Sequence, residues 1–284
     1  LNGVMAAVNP AADVKDLSDG PKGSLVVNNV GVAPPGSGHL TLKGVSFRLA
    51  PGECLGIIGP SGSGKSMLGK IIVGISAPTA GSVLLDGVDV LFLRDSGGGR
   101  RLGYLPQDIE LFGETVKDII ARLDGADLQK VIEAAKLTGL HEMIIRLPKA
   151  YDTAVVGGGA NLSRGFRQRL GVARAFFGDP HLVVLDEPNA SLDYFGERVL
   201  FEAIERMKAA NTTVVIITHR LGILAATNKI AIMQGGTVSA FGDSKEIFER
   251  YLARPQVGSR ESARPASSRE CESDIGASPQ PVMP

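Results

Sequence analysis

The chain has 284 residues, 44% of them apolar, with 30 basic and 30 acidic side chains. That composition supports a sizeable core in one large or two small domains, and the balanced charge leaves no basic excess for nucleic acid and no polybasic run for an anionic membrane surface. No stretch reaches the roughly 20 apolar residues that a bilayer crossing needs, and no signal peptide is visible.

In chain order, residues 1–22 are rich in Ala, Asp, Gly, Asn and Pro without periodicity and read as a linker. The chain starts at Leu1 rather than methionine, as expected of an excised or processed piece whose missing part has room for membrane helices. Strand-like runs follow at 24–31, 41–49 and 53–58. Cys54 lies in the third run and reads as a buried free thiol. Cys271 is far from it and the two lack metal-ligand spacing, which suits a reducing compartment. A Gly-rich loop leads into a helix from about Gly64 to Val73, and shorter β signals come at 82–85 and 101–105. A helical region is expected over about 114–146, and a Gly-rich loop at 157–159 precedes a helix at about 163–177, which Asp179-Pro180 stops. The strand HLVVLD, a helix at about 194–210, the strand TTVVIIT and a hairpin near Gly235-Gly236 complete the body. TTVVIIT is apolar on both faces, as a strand buried between helices should be. Residues 254–284, rich in Pro, Ser, Arg and Glu, are expected to be disordered. The alternation of strands and helices argues for an α/β core, with the helical stretch at 108–178 inserted as a subdomain and no internal repeat.

Four features carry chemistry. GPSGSGKS, residues 59–66, matches G-x-x-x-x-G-K-[ST] at every fixed position. Gly59, Pro60, Ser61, Gly62, Ser63 and Gly64 form a loop whose glycines permit tight turns, so that backbone N–H groups face phosphate oxygens. Lys65 is expected at the β- and γ-phosphates and the Ser66 hydroxyl at Mg²⁺, with the helix N-terminus adding positive potential. Second, HLVVLDE is an apolar strand ending in two carboxylates that point in different directions. Asp186 would hold Mg²⁺, and Glu187 would orient and deprotonate the attacking water. Third, His219 follows TTVVIIT at another strand end, where it would touch the γ-phosphate or the water. Fourth, Gln107 in GYLPQDIELF would complete the Mg²⁺ shell and sense the γ-phosphate. An acidic pair, a turn histidine or a loop glutamine is ordinarily a solvated surface feature. The phosphate loop upstream gives all three their functional reading, with a nucleotide's phosphates and Mg²⁺ as ligands.

These residues, in this order, resemble the nucleotide-binding domain of ATP-binding cassette (ABC) transporters. The Walker A loop is Gly59 to Ser66, the Q-loop residue Gln107, and the signature LSRGF, Leu162 to Phe166. The Walker B strand ends at Asp186 with Glu187 after it, the D-loop is Ala190 to Asp193, and the switch histidine is His219. The match spans roughly residues 24–253. The resemblance implies a P-loop NTPase cassette at 23–253 with a RecA-like core, an antiparallel β subdomain and an inserted α-helical signature subdomain. It further implies a homodimer in which Ser163 and Gly165 of one cassette meet the γ-phosphate bound to the other. ELFGETVKDII looks like an exporter pattern that packs on coupling helices of a membrane domain. RLPKAYDTAVVGGGANLS, GDPHLVVLDEPNASLD and VVIITHR are similar to type I secretion ATPases that export proteases and lipases. That branch implies an N-terminal six-helix membrane domain, an adaptor protein, an outer-membrane channel, and a place at the cytoplasmic face of the inner membrane. No nucleic-acid partner is implied.

The chain departs from the family pattern in two places. Arg164 stands at the first glycine of the usual LSGGQ, and Phe166 stands at its glutamine. Arg164 is expected either to add a cation near the phosphates or, through bulk and lost backbone freedom, to weaken hydrolysis. The segment VGVAPPGSGHL offers only the ring of His39 to an adenine, so Val32 or Ala33 would supply no more than apolar contact. The alternatives are an ATP-binding module with impaired hydrolysis, a soluble non-transport ABC ATPase, and an importer's separate cassette subunit.

Overall fold

In a computed structural model of the chain the described residues are 22–33, 40–123, 125 and 127–252. The expected tail, nearly all of the expected linker, His39 and Cys271 lie outside them.

Alternating burial builds the first sheet. Strands β1 (Leu25–Val32), β2 (Leu42–Leu49), β4 (Ala80–Leu85) and β5 (Val88–Asp89) pair antiparallel in the order β2-β1-β4-β5. Leu42, Val45, Phe47 and Leu49 of β2 face the core while Lys43, Ser46 and Arg48 face out, as a one-sided sheet requires.

Continuous apolar runs build the second. Every residue of β3 (Cys54–Ile58), β7 (Leu182–Asp186) and β8 (Thr213–Ile217) is buried. With β6 (Leu102–Leu105), β9 (Lys229–Gln234) and β10 (Thr237–Asp243) they form a six-stranded sheet, ordered β10-β9-β3-β8-β7-β6. All pairs are parallel except β10 with β9. The carboxyl ends of β3, β6, β7 and β8 therefore share one edge, the place where open α/β sheets put their ligands.

Helices α1 (Lys65–Ile72), α6 (Arg164–Phe176) and α7 (Tyr194–Ala209) pack against that sheet. The short helix α2 (Val90–Asp95), capped by Asp89, follows the β4–β5 hairpin. Sequence periodicity does not reveal it. The stretch expected to be helical over 114–146 is three short helices, α3 (Val116–Ile120), α4 (Leu128–Leu137) and α5 (His141–Ile144). Arg122 and Leu123 take left-handed φ values of 56° and 62°, and Gly139 takes 64°, which ends each run. Arg122 is held there because its guanidinium donates to the carbonyls of Arg174 (2.9 Å), Leu102 (2.8 Å) and Ala175 (3.1 Å). The restart at α3 is a capping box between Thr115 and Asp118, and Asp127 caps α4. These helices and α6 share their own core of Val116, Ile119, Ile120, Val131, Leu140 and Phe166. The short helix α8 (Ser244–Ile247) packs on β10 and runs on into a π-helical turn, Phe248–Leu252.

Asp86 joins the two sheets. Its carboxylate accepts from the N–H groups of Gly23 (2.7 Å) and Ser24 (2.8 Å) and from the His181 ring Nδ1 (3.0 Å). These bonds hold its pKa below the ordinary carboxylate value although burial opposes them.

Candidate phosphate-binding and hydrolytic site

β3 ends at Ile58 and the chain turns through the glycine loop into α1. Gly59 has φ 150° and Gly64 φ 95°. A Cβ on Gly59 would lie 2.2 Å from the Met233 carbonyl oxygen, and one on Gly64 would lie 2.7 Å from Leu42 Cδ2. Only glycine fits either place. Gly62 also has positive φ, but a Cβ there would meet nothing within 4 Å among the described residues. Pro60 and Ser61 are exposed, whereas Ser63 is buried and its N–H donates to the Pro60 carbonyl at 3.3 Å. Lys65 Nζ donates to the carbonyls of Gly59 and Pro60, both at 2.8 Å. Burial lowers its pKa against the pull of the Glu187 and Asp186 carboxylates.

The carboxylates stand opposite. Asp186, at the end of β7, is 2% exposed. The Ser66 hydroxyl bonds to it, and burial raises its pKa against that bond. Its Oδ1 is buried with no hydrogen-bond partner among the described residues. A buried carboxylate oxygen without a partner, beside a hydroxyl, is a donor set that fits a hard divalent cation. Glu187 follows in the left-handed region, φ 52°, with its N–H bonded to the Ile217 carbonyl at 2.8 Å. Its Oε1 accepts from His219 Nδ1 at 2.8 Å. An ionised carboxylate only accepts, so that ring nitrogen carries the proton. The other oxygen, Oε2, is buried and has no partner among the described residues.

A cleft of about 380 Å³ gathers Gly62, Lys65, Ser66, Gln107, Asp186 and Glu187. Gln107 arrives from the end of β6. His219 sits on the rim with its side chain 69% exposed. Ser163 and Gly165 do not line this cleft. Ser163 caps α6, its Oγ accepting from the Phe166 N–H at 3.2 Å. Among the described residues a Cβ on Gly165 would meet only the Ser191 carbonyl oxygen, at an ordinary 3.5 Å, so none of them demands glycine there.

The two departures in the signature resolve differently. Arg164 is the first residue of α6, exposed and without positive φ. The backbone objection to an arginine at that place therefore does not arise. Phe166 is 4% exposed and belongs to the core of the helical region, so its ring is a packing element and not part of an exposed clamp. Val32 is buried in the core of the first sheet, which removes it as an open adenine contact. Ala33 remains half-buried, its N–H bonded to Thr79 Oγ1.

Sequence reasoning missed the residues that brace the site. Asn189 Nδ2 (3.3 Å) and an Arg220 guanidinium nitrogen (2.7 Å) both donate to Glu197 Oε1, tying the loop after β7 to the loop after β8 through α7. Arg169 reaches the Asp193 carboxylate at 3.3 Å and the Gly139 carbonyl at 3.5 Å. Gln168 is buried on α6 and bonds to backbone beside Glu187. A glutamine in an arginine-rich helix carries no local signal of such a role.

Among known proteins, the family model described as "ABC transporter" matches residues 42–190, just over half of the chain. The chain is 40% identical over 255 residues to the type I secretion system ATP-binding protein PrsD of Rhizobium meliloti, covering 89% of this chain and 44% of that protein. It is 33% identical over 230 residues to the alpha-hemolysin translocation ATP-binding protein HlyB of Escherichia coli O157:H7, covering 81% and 32%. The chain thus spans less than half the length of these curated relatives. A solved structure of a bacterial Atm1-family ABC exporter with ATP bound superposes with a TM-score of 0.74 at 31% identity, over 81% of this chain and 40% of that one.

Proposed function

The chain belongs to the ABC transporter family, and from that premise we propose that it is the ATP-hydrolysing motor of a type I protein exporter. One observation supports the reading above all: the ends of β3, β6 and β7 deliver Lys65, Ser66, Gln107, Asp186 and Glu187 to one cleft. Similarity to PrsD and HlyB favours secretion as the process. On this proposal the cassette works as a homodimer at the cytoplasmic face of the inner membrane. It is joined there to a membrane domain and served by an adaptor and an outer-membrane channel.

The loop N–H groups from Gly59 to Ser66 would wrap the phosphates, and Lys65 would exchange its two carbonyl partners for phosphate oxygens. Ser66, Asp186 and Gln107 would hold Mg²⁺, which when bound neutralises phosphate charge. Glu187 would use Oε2, its unpartnered oxygen, to align a water and accept its proton, while His219 fixes Oε1. Ser163 and Gly165 would act on the nucleotide of the second cassette.

Glu187→Gln tests the base. The amide cannot take a proton, so turnover should fall about a hundredfold or more with ATP affinity retained. Unchanged turnover in a steady-state phosphate-release assay would overturn the assignment.

A further inference from the structure

We infer that Gln168 is a positioning residue for hydrolysis, acting through the backbone of the proposed base; this deepens the reading of Glu187 given above and rests on it. Gln168 lies on α6, five residues after Ser163, and is 5% exposed. Its Nε2 donates to the Pro188 carbonyl at 2.8 Å and to the Glu187 carbonyl at 3.3 Å. Two successive carbonyls thus converge on one amide group. Glu187 is left-handed at φ 52°, a conformation that strains a non-glycine residue and persists only where neighbours enforce it.

The enforcement is visible on both sides of the residue. The Glu187 N–H is held by the Ile217 carbonyl on β8, the Glu187 carbonyl accepts from Gln168 (3.3 Å) and from the Ala190 N–H (3.2 Å), and the Pro188 carbonyl accepts from Gln168 at 2.8 Å. The Oε1 of the same side chain is held by His219. Only Oε2 is left without a partner among the described residues, and its aim follows from how the backbone is pinned. An apolar side chain of the same length would fill the space of Gln168. It would also leave a buried carbonyl with no donor, and the turn at 187–188 would be free to relax. Because Gln168 and Ser163 share one helix, any displacement of α6 is passed to the Glu187 backbone. The contact therefore links the signature turn to the carboxylate within a single chain.

The test uses the 284-residue chain and a double-mutant cycle. Gln168→Met keeps length and volume and removes the donor; Gln168→Leu is the second variant. Both should lower kcat for ATP tenfold or more while KM for ATP moves less than twofold. In the Glu187→Gln background, Gln168→Met should cause no further loss, since the group it positions is already disabled. Three results would overturn the proposal: wild-type kcat in Gln168→Met, an undiminished further loss in the Glu187→Gln background, or a collapse of the melting transition in both Gln168 variants, which would make Gln168 a core residue only. Retained turnover in Glu187→Gln alone would instead remove the base assignment, an outcome separate from the first.

Discussion

Lys65 shows how far single residues were legible. Its partners are the carbonyls of Gly59 and Pro60, six and five positions upstream, and the glycines that make the turn are equally local. A loop whose chemistry is written within eight consecutive residues is readable before any fold is known. Lys65→Ala should raise the dissociation constant for ATP about a hundredfold, equivalent to about 2.7 kcal/mol, with little change in melting temperature, because the freed carbonyls border an open cleft. Titration with a fluorescent ATP analogue checks this; affinity within threefold of wild type would show that the lysine does not reach phosphate. The bracing contacts were not legible for the opposite reason. Gln168 meets the Glu187 carbonyl across 19 positions and Arg220 meets Glu197 across 23. Their residue types are ordinary in surface helices, so only the folded arrangement reveals them.

Among the elements, the buried strands were the clearest, since runs such as LVVLD and TVVII have no polar face to confuse. The region expected to be helical over about 114–146 is helical in three short pieces. The first break begins at Arg122 and Leu123, ahead of Gly125, and depends on carbonyls from β6 and the far end of α6. The same region explains Phe166. A glutamine there would match the usual signature but place an amide in an apolar core. Phe166→Gln should therefore destabilise the fold by about 2–4 kcal/mol, measured by urea denaturation; unchanged stability would mean the ring is not a core element. The junction between the sheets makes a pH prediction. Asp86 has a folded-state pKa below its unfolded value near 4. The stabilisation it gives is thus fully present above about pH 4 and is lost as pH falls through the folded-state value. Asp86→Asn should cost roughly 1–3 kcal/mol near neutral pH, and the gap to wild type should narrow in acid. A gap that stays constant down to pH 2 would exclude the carboxylate as its source.

At the scale of the whole molecule, the alternation of strands and helices gave the α/β class, but strand order is a property of pairing that no local run encodes. The order β10-β9-β3-β8-β7-β6 sets the loops after β3, β7 and β8 side by side, and that adjacency lets Asp186 bond Ser66 and Glu187 bond His219. The signature residues stay outside the cleft so formed. At Gly165 a Cβ would meet only the Ser191 carbonyl oxygen among the described residues, at an ordinary distance, so a larger side chain there is expected to leave each protomer folded. On the proposed dimer this has a genetic consequence. A Lys65→Ala chain and a Gly165→Trp chain would each be inactive alone, the first for want of a phosphate grip and the second for want of a surface its twin can approach. Mixed together they should complement. A hybrid pair holds one doubly damaged site and one wholly intact site, and random pairing should restore roughly a quarter of the wild-type sites. A mixture as inactive as its components would mean that the defects are not shared out between two chains. If complementation is found, loss of Gly165 is a recessive lesion whose harm depends on which partner a chain happens to meet.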